Sequence, residues 1–172
     1  MGFTQGKPDS FSVQFVLNAH DFQLEWARCS LLADYIARYF SYQFSGNHFV
    51  ENLISTGVND ILEFTINTSD EHAYINIHCI QDGGNILMEI GYILQARLVE
   101  AYQNFIHLLS QKKIQDIYRK LITDSPPPEE SFGQFSIVWV LQDLMAQFKA
   151  KVNQSTGETY AYVILPVKDT VI

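Results

Sequence analysis

The residues best equipped for chemistry crowd into one stretch, 59–69, NDILEFTINTS. Asn59, Asp60 and Glu63 fall within about one helical turn there. Carboxylate and amide oxygens are the groups that hold hard cations, and a carboxylate can take up a proton. Phe64 follows directly, and a phenyl ring has no lone pair to offer a metal. On residue type alone, the three polar side chains read as the solvated face of a helix. The rest of the chain offers less. His20, His48, His72, His78 and His107 show no paired metal-ligand spacing. His78 and Cys79 are neighbours in a strand pattern and point to opposite faces, so they form no dyad. No serine stands in a nucleophile elbow. Cys29 and Cys79 are far apart and flanked by apolar residues, which reads as two buried free thiols.

The stretch closes a helical pattern over residues 48–65, with Phe49, Leu53, Ile54, Val58, Ile61, Leu62 and Thr65 on the apolar side. Gly57 sits inside that helix at some cost in propensity. Ahead of it, residues 11–17 alternate as a half-buried strand, and 24–40 carry helical spacing with Asp21 as the expected N-cap. Gly46 and Asn47 mark the turn between the two helices. Behind it, residues 73–80 and 86–94 read as strands around QDGGN, whose glycines supply the positive φ that a tight hairpin turn requires. That context makes the DGG triplet a hairpin turn, not a phosphate loop. Helical spacing returns over 96–109, 113–122 and 135–148, with the proline-rich loop TDSPPPEES before the last. A final hairpin of 149–153 and 159–167 turns at 155–157. This order predicts an α+β fold, a two-layer sandwich with helices on one face of a mixed, mainly antiparallel sheet. Residues 1–10 are expected to be a disordered N-terminus and 11–172 a single domain.

A hydrophobic content of 47% predicts an ordered globule, and an aromatic content of 13% is mostly core. The net charge of -8 disfavours nucleic acid and anionic membranes, both of which call for Lys and Arg. No apolar run is long enough to span a bilayer, so the expected location is the cytoplasm.

The order of elements resembles the Bergerat fold of the GHKL ATPase superfamily, within it the SiaB-like and anti-sigma serine kinases of bacteria. ARCSLLADYIARYF is similar to their first helix, ENLISTGVNDILEF to their second, and SFGQFSIVWVLQDL to the helix after their lid. Asp60, Ile61, Leu62, Glu63, Thr65 and Ser69 fit their nucleotide-site frame, N/E-L-L-x-N-A-x-K-Y-S. The resemblance implies a catalytic carboxylate or amide at Asp60, Glu63 or Asn59. It puts Phe64 where the Mg²⁺-binding Asn belongs. A shifted frame puts Asn59 at the metal position and leaves Ser55 as the base, for which a hydroxyl has no suitable pKa. The adenine-binding Asp belongs near residues 88–92, where Gly91 and Tyr92 stand with Glu89. Of the phosphate-loop glycines only Gly133 remains, crowded by Phe132 and Phe135. Asn59, Phe64, Gly91, Tyr92, Phe132 and Gly133 would then line a vestigial nucleotide cleft, with no metal and no cofactor.

The resemblance therefore implies a non-catalytic GHKL-like regulatory module that binds a protein partner, a STAS-domain regulator as in partner switching, and homodimers are compatible with it. One alternative is an ATP- and Mg²⁺-binding serine kinase or anti-sigma-like switch with an atypical site. Another is a small-ligand sensor that lines the old cleft with Phe64, Tyr92, Phe132 and Phe135.

Overall fold

A computed structural model of the chain describes residues 11–44, 48–124 and 133–167. The 1–10 segment, the turn at Gly46 and Asn47, Phe132 and most of the proline-rich loop lie outside the described residues. The fold is α+β. Five strands form one sheet in the order β1-β2-β3-β5-β4, with β1 Ser12–Asn18, β2 Tyr74–Asp82, β3 Asn85–Ile93, β4 Gln147–Val152 and β5 Glu158–Pro166. Each pairing is antiparallel, so the expected mixed sheet has no parallel pair among the described residues. Tight hairpins fix two of these pairings, β2–β3 and β4–β5, because a tight turn can only return the chain antiparallel, whereas β1–β2 and β3–β5 are joined through helices.

Strand alternation sorts the side chains onto two faces. Ile75, Ile77 and Cys79 of β2, Ile86, Met88, Ile90 and Tyr92 of β3, and Thr159, Ala161, Val163 and Leu165 of β5 are buried beneath the helices. The other face carries Val16, Tyr74, His78, Glu89, Tyr160 and Tyr162, and four of these are exposed. The sandwich thus has two layers, as the sequence pattern predicts.

The helices are α1 Ala19–Leu24, α2 Ala27–Ser41, α3 His48–Thr68, α4 Val99–Gln111, α5 Ile114–Asp124 and α6 Gln134–Asp143. Two expectations fail here. The helix over 24–40 starts earlier and is broken: Glu25 adopts an extended ψ of 86°, which ends α1 before α2 begins. Its cap is Asn18, whose side chain accepts from the His20 N–H at 3.0 Å, not Asp21. The helix over 135–148 stops at Asp143, and Gln147 and Phe148 already belong to β4. Met145 takes a positive φ of 54° at the junction. Pairing with β5 outweighs the helical spacing of those residues.

The turns obey their glycines. Gly83 has φ 59° between the closing pair Asp82 and Asn85, and Gly157 has φ 72° at the second hairpin. Gly157 is also cramped, because an added Cβ would lie 2.9 Å from the Leu94 carbonyl oxygen, whereas one at Gly83 would meet open space. A left-handed conformation costs an L-residue about 1–2 kcal/mol. Gly157→Ala is therefore expected to lower the stability of the chain by more than that, and Gly83→Ala by no more than that. Urea unfolding of the two variants checks the difference, and equal losses would contradict the steric account.

Candidate functional site

The stretch 59–69 occupies the second half of α3, the most enclosed helix of the fold. Val50, Ile54, Val58, Ile61, Leu62, Phe64, Thr65, Ile66 and Thr68 are all buried. Gly57 is what lets α3 come so close to its neighbours, since a Cβ there would lie 2.9 Å from Leu144 and 3.3 Å from Leu165. Buried hydroxyls need partners, and here they bond back along the helix. Thr65 donates to the Ile61 carbonyl at 2.8 Å, Thr68 to the Phe64 carbonyl at 3.0 Å, and Ser69 to the Thr65 carbonyl at 2.7 Å.

Phe64 is 1% exposed. Its ring stacks on Tyr102 at 5.8 Å, tilts against Phe105 at 6.2 Å and meets Phe148 edge-on at 6.0 Å. Tyr102 and Phe105 come from α4 and Phe148 from β4, so the ring joins three elements. Tyr92 is buried beside them. Its hydroxyl donates to Tyr102 at 3.0 Å and stands 3.3 Å from the Thr68 hydroxyl. Burial pushes the Tyr92 phenol up to about 12, despite these bonds. Gly133, with φ 78°, is the residue before α6, and a Cβ there would lie 3.7 Å from Phe64.

Phe64 thus lies against Gly133 and shares the partner Tyr102 with Tyr92. The structure does not bring the other expected residues into that group. Gly91 faces the side of the sheet away from the described helices, under the Tyr160 ring. Glu89 shares that side and sits 3.4 Å from His78 across the β2–β3 pair. Phe135 is 47% exposed and stacks on Tyr118 of α5. Phe64 and Phe135 therefore do not line one cavity.

Asn59, Asp60 and Glu63 lie at the rim of this packing. Asn59 donates to Glu63 at 2.8 Å and accepts from Ser30 of α2 at 3.2 Å. Ser55 donates to Asp34, also on α2, so its hydroxyl is engaged in tying the two helices together. Partial burial, then the charge of Glu63, raises the Asp60 carboxyl from 3.8 to about 6, against a weaker pull from Asn59. Burial and the same Glu63 charge push the Cys29 thiol up to about 11, and burial alone pushes Cys79 up to about 12. Both thiols are free and buried, and inert as nucleophiles at neutral pH.

Two residues that no sequence pattern singles out close the end of α3. The Gln23 amide donates to the carbonyls of Ile66 at 3.1 Å and Ser69 at 3.4 Å. The Gln95 amide donates to the carbonyls of Asn67 at 2.9 Å and Ser69 at 3.1 Å. These are the orphan carbonyls of a helix C-terminus, met by side chains distant in sequence. No local signal marks either glutamine. Among the described residues, no three His, Cys, Asp or Glu side chains converge to hold a metal ion, and no helix is long and apolar enough to cross a membrane.

The raised Asp60 carboxyl has a consequence for stability. The folded chain holds that proton to higher pH than the unfolded chain does. The contribution is therefore fully present below 3.8 and is lost as pH rises through about 6. Asp60→Asn, which mimics the protonated acid, is expected to raise the urea midpoint at pH 7.5 and to change little at pH 3.5. A gain of equal size at both pH values would contradict this. Phe64→Ala is expected to cost about 3–5 kcal/mol by the same measurement, as for a buried core ring.

No family model matches the chain, and no curated protein matches it.

Proposed function

We propose that the chain is a non-catalytic regulatory module that acts by occupying a protein partner, of the STAS-domain class that its resemblance to GHKL-type kinases implies. The observation that carries this reading is the packing of Phe64. Phe64, which the resemblance puts where a magnesium ligand would stand, is a core side chain packed against three other rings among the described residues. Opening a nucleotide cleft there would expose that aromatic core.

A second feature supports binding to a protein. Leu31 and Tyr35 lie one turn apart on the outer face of α2, and Tyr42 lies two turns beyond Tyr35. They are 69%, 55% and 74% exposed. Leu31 and Tyr35, four residues apart, are surface neighbours, and adjacent exposed apolar side chains mark a contact surface more strongly than scattered single residues do.

One observation favours a second reading, the ATP-binding switch. A carboxyl raised to about 6, as Asp60 is, suits a general base near neutral pH. Titration calorimetry with Mg-ATP separates the two. The partner reading expects no saturable heat, whereas metal-dependent micromolar binding would overturn it.

The partner reading also has its own test, in pull-down and calorimetry with a STAS-domain protein encoded beside this chain. Leu31→Glu is expected to weaken the complex by at least about tenfold, or about 1.4 kcal/mol, with no loss of fold. Asp60→Ala is expected to leave it intact. Failure of the unmodified chain to bind any such protein, phosphorylated or not, would count against the proposal.

A further inference from the structure

β4 is an edge strand: it pairs with β5 on one side and with no strand on the other among the described residues. Antiparallel ladders alternate, so every second residue turns its backbone N–H and C=O away from the partner strand. The bond from the Asn153 N–H to the Glu158 carbonyl at 2.8 Å fixes the phase. Lys149 and Lys151 therefore bond to β5, and the N–H and C=O groups of Phe148, Ala150 and Val152 point outward. Alongside this edge runs an open groove of about 530 Å³, whose far wall is Ile106, Leu109 and Ser110 of α4. A shallower recess of about 260 Å³ continues it past Ala150 to Val152 and His107.

The groove is apolar on its inner side and cationic on its outer side. Phe148 and Ala150 face α4 with Ile106 and Leu109, whereas Lys149 and Lys151 rise on the opposite face beside Tyr162. A strand laid against β4 would present alternate residues to these two sides. Half of its side chains would meet hydrocarbon, and the other half would meet two ammonium groups. The same lysines oppose self-pairing, because a second β4 would bring like charges face to face.

We infer that the β4 edge and the groove beside α4 form a docking site for an extended protein segment of alternating apolar and acidic residues, bound by strand addition. The site is distinct from the outer face of α2. It rests on the partner-binding reading only in taking the occupant to be a protein.

The test uses the full chain and two short labelled peptides, one alternating valine with glutamate and the other valine with lysine. Fluorescence anisotropy is expected to show the acidic peptide binding at least about tenfold more tightly than the basic one. Amide exchange is expected to slow at Phe148, Ala150 and Val152 and to stay unchanged at Lys149 and Lys151. Ala150→Pro removes an outward N–H and leaves every bond to β5, so it should abolish binding while keeping the melting temperature. Lys149→Glu with Lys151→Glu, which leaves the outward amides in place, should reverse the preference between the peptides. The inference falls if neither peptide binds, if both bind equally, or if the exchange pattern changes elsewhere. It also falls if the three outward amides are protected in a concentration-dependent way without peptide, which would make a second copy the occupant. Loss of STAS-protein binding with peptide binding retained would sink only the earlier proposal, and the reverse result would sink only this one.

Discussion

The burial of α3 is the constraint from which the rest of the structure follows. Along the buried face of α3 there is no water to satisfy polar groups, so each must find a partner within the protein. Threonine and serine hydroxyls answer this along the helix, and the amides of Gln23 and Gln95 answer it at the end. Gly57 removes the one Cβ that would hold the helix away from Leu144 and Leu165. Phe64 then supplies the volume that joins α3 to α4 and β4. The groups with chemical potential, Asn59, Asp60 and Glu63, are left at the rim, where they bond to one another and to α2.

This division of the molecule directs attention from its interior to its surfaces. The buried thiols and phenols have pKa values pushed up by desolvation, which holds them neutral and unreactive near pH 7. The surfaces are richer. The face of the sheet away from the described helices exposes Val16, Tyr74, Tyr160 and Tyr162, the outer side of α2 exposes Leu31 and Tyr35, and the outer edge of β4 pairs with no strand among the described residues. Such features suit recognition of other chains better than chemistry on a small molecule.

The sequence made the local parts of this fold readable. The alternation over 11–17, the glycines of QDGGN and the apolar spacing of 48–65 each depend on neighbours in the chain, and each became the expected element. The failures were all decided at a distance. Residues 144–148 carry helical spacing, yet β5 recruits Gln147 and Phe148 into a strand. Gly91 and Tyr92 are adjacent in sequence and sit on opposite faces of the sheet, so they could not both line one cleft. That Phe64 offers no ligand atom was readable, but its ring partners come from α4 and β4, which no local pattern connects to it. The capping roles of Gln23 and Gln95, and the edge position of β4, depend on strand order and helix placement, which the chain specifies only through packing.

Hydrogen exchange over the last turn of α3 tests the central claim most directly. If Phe64 and its neighbours are the packed heart of the fold, the amides of Thr65, Ile66 and Thr68 exchange only through global unfolding, and saturating Mg-ATP leaves their rates unchanged beyond any effect on the whole chain. Fast exchange at these amides in the free chain, slowed selectively by nucleotide, would reveal a cleft that opens at Phe64 and would contradict the account.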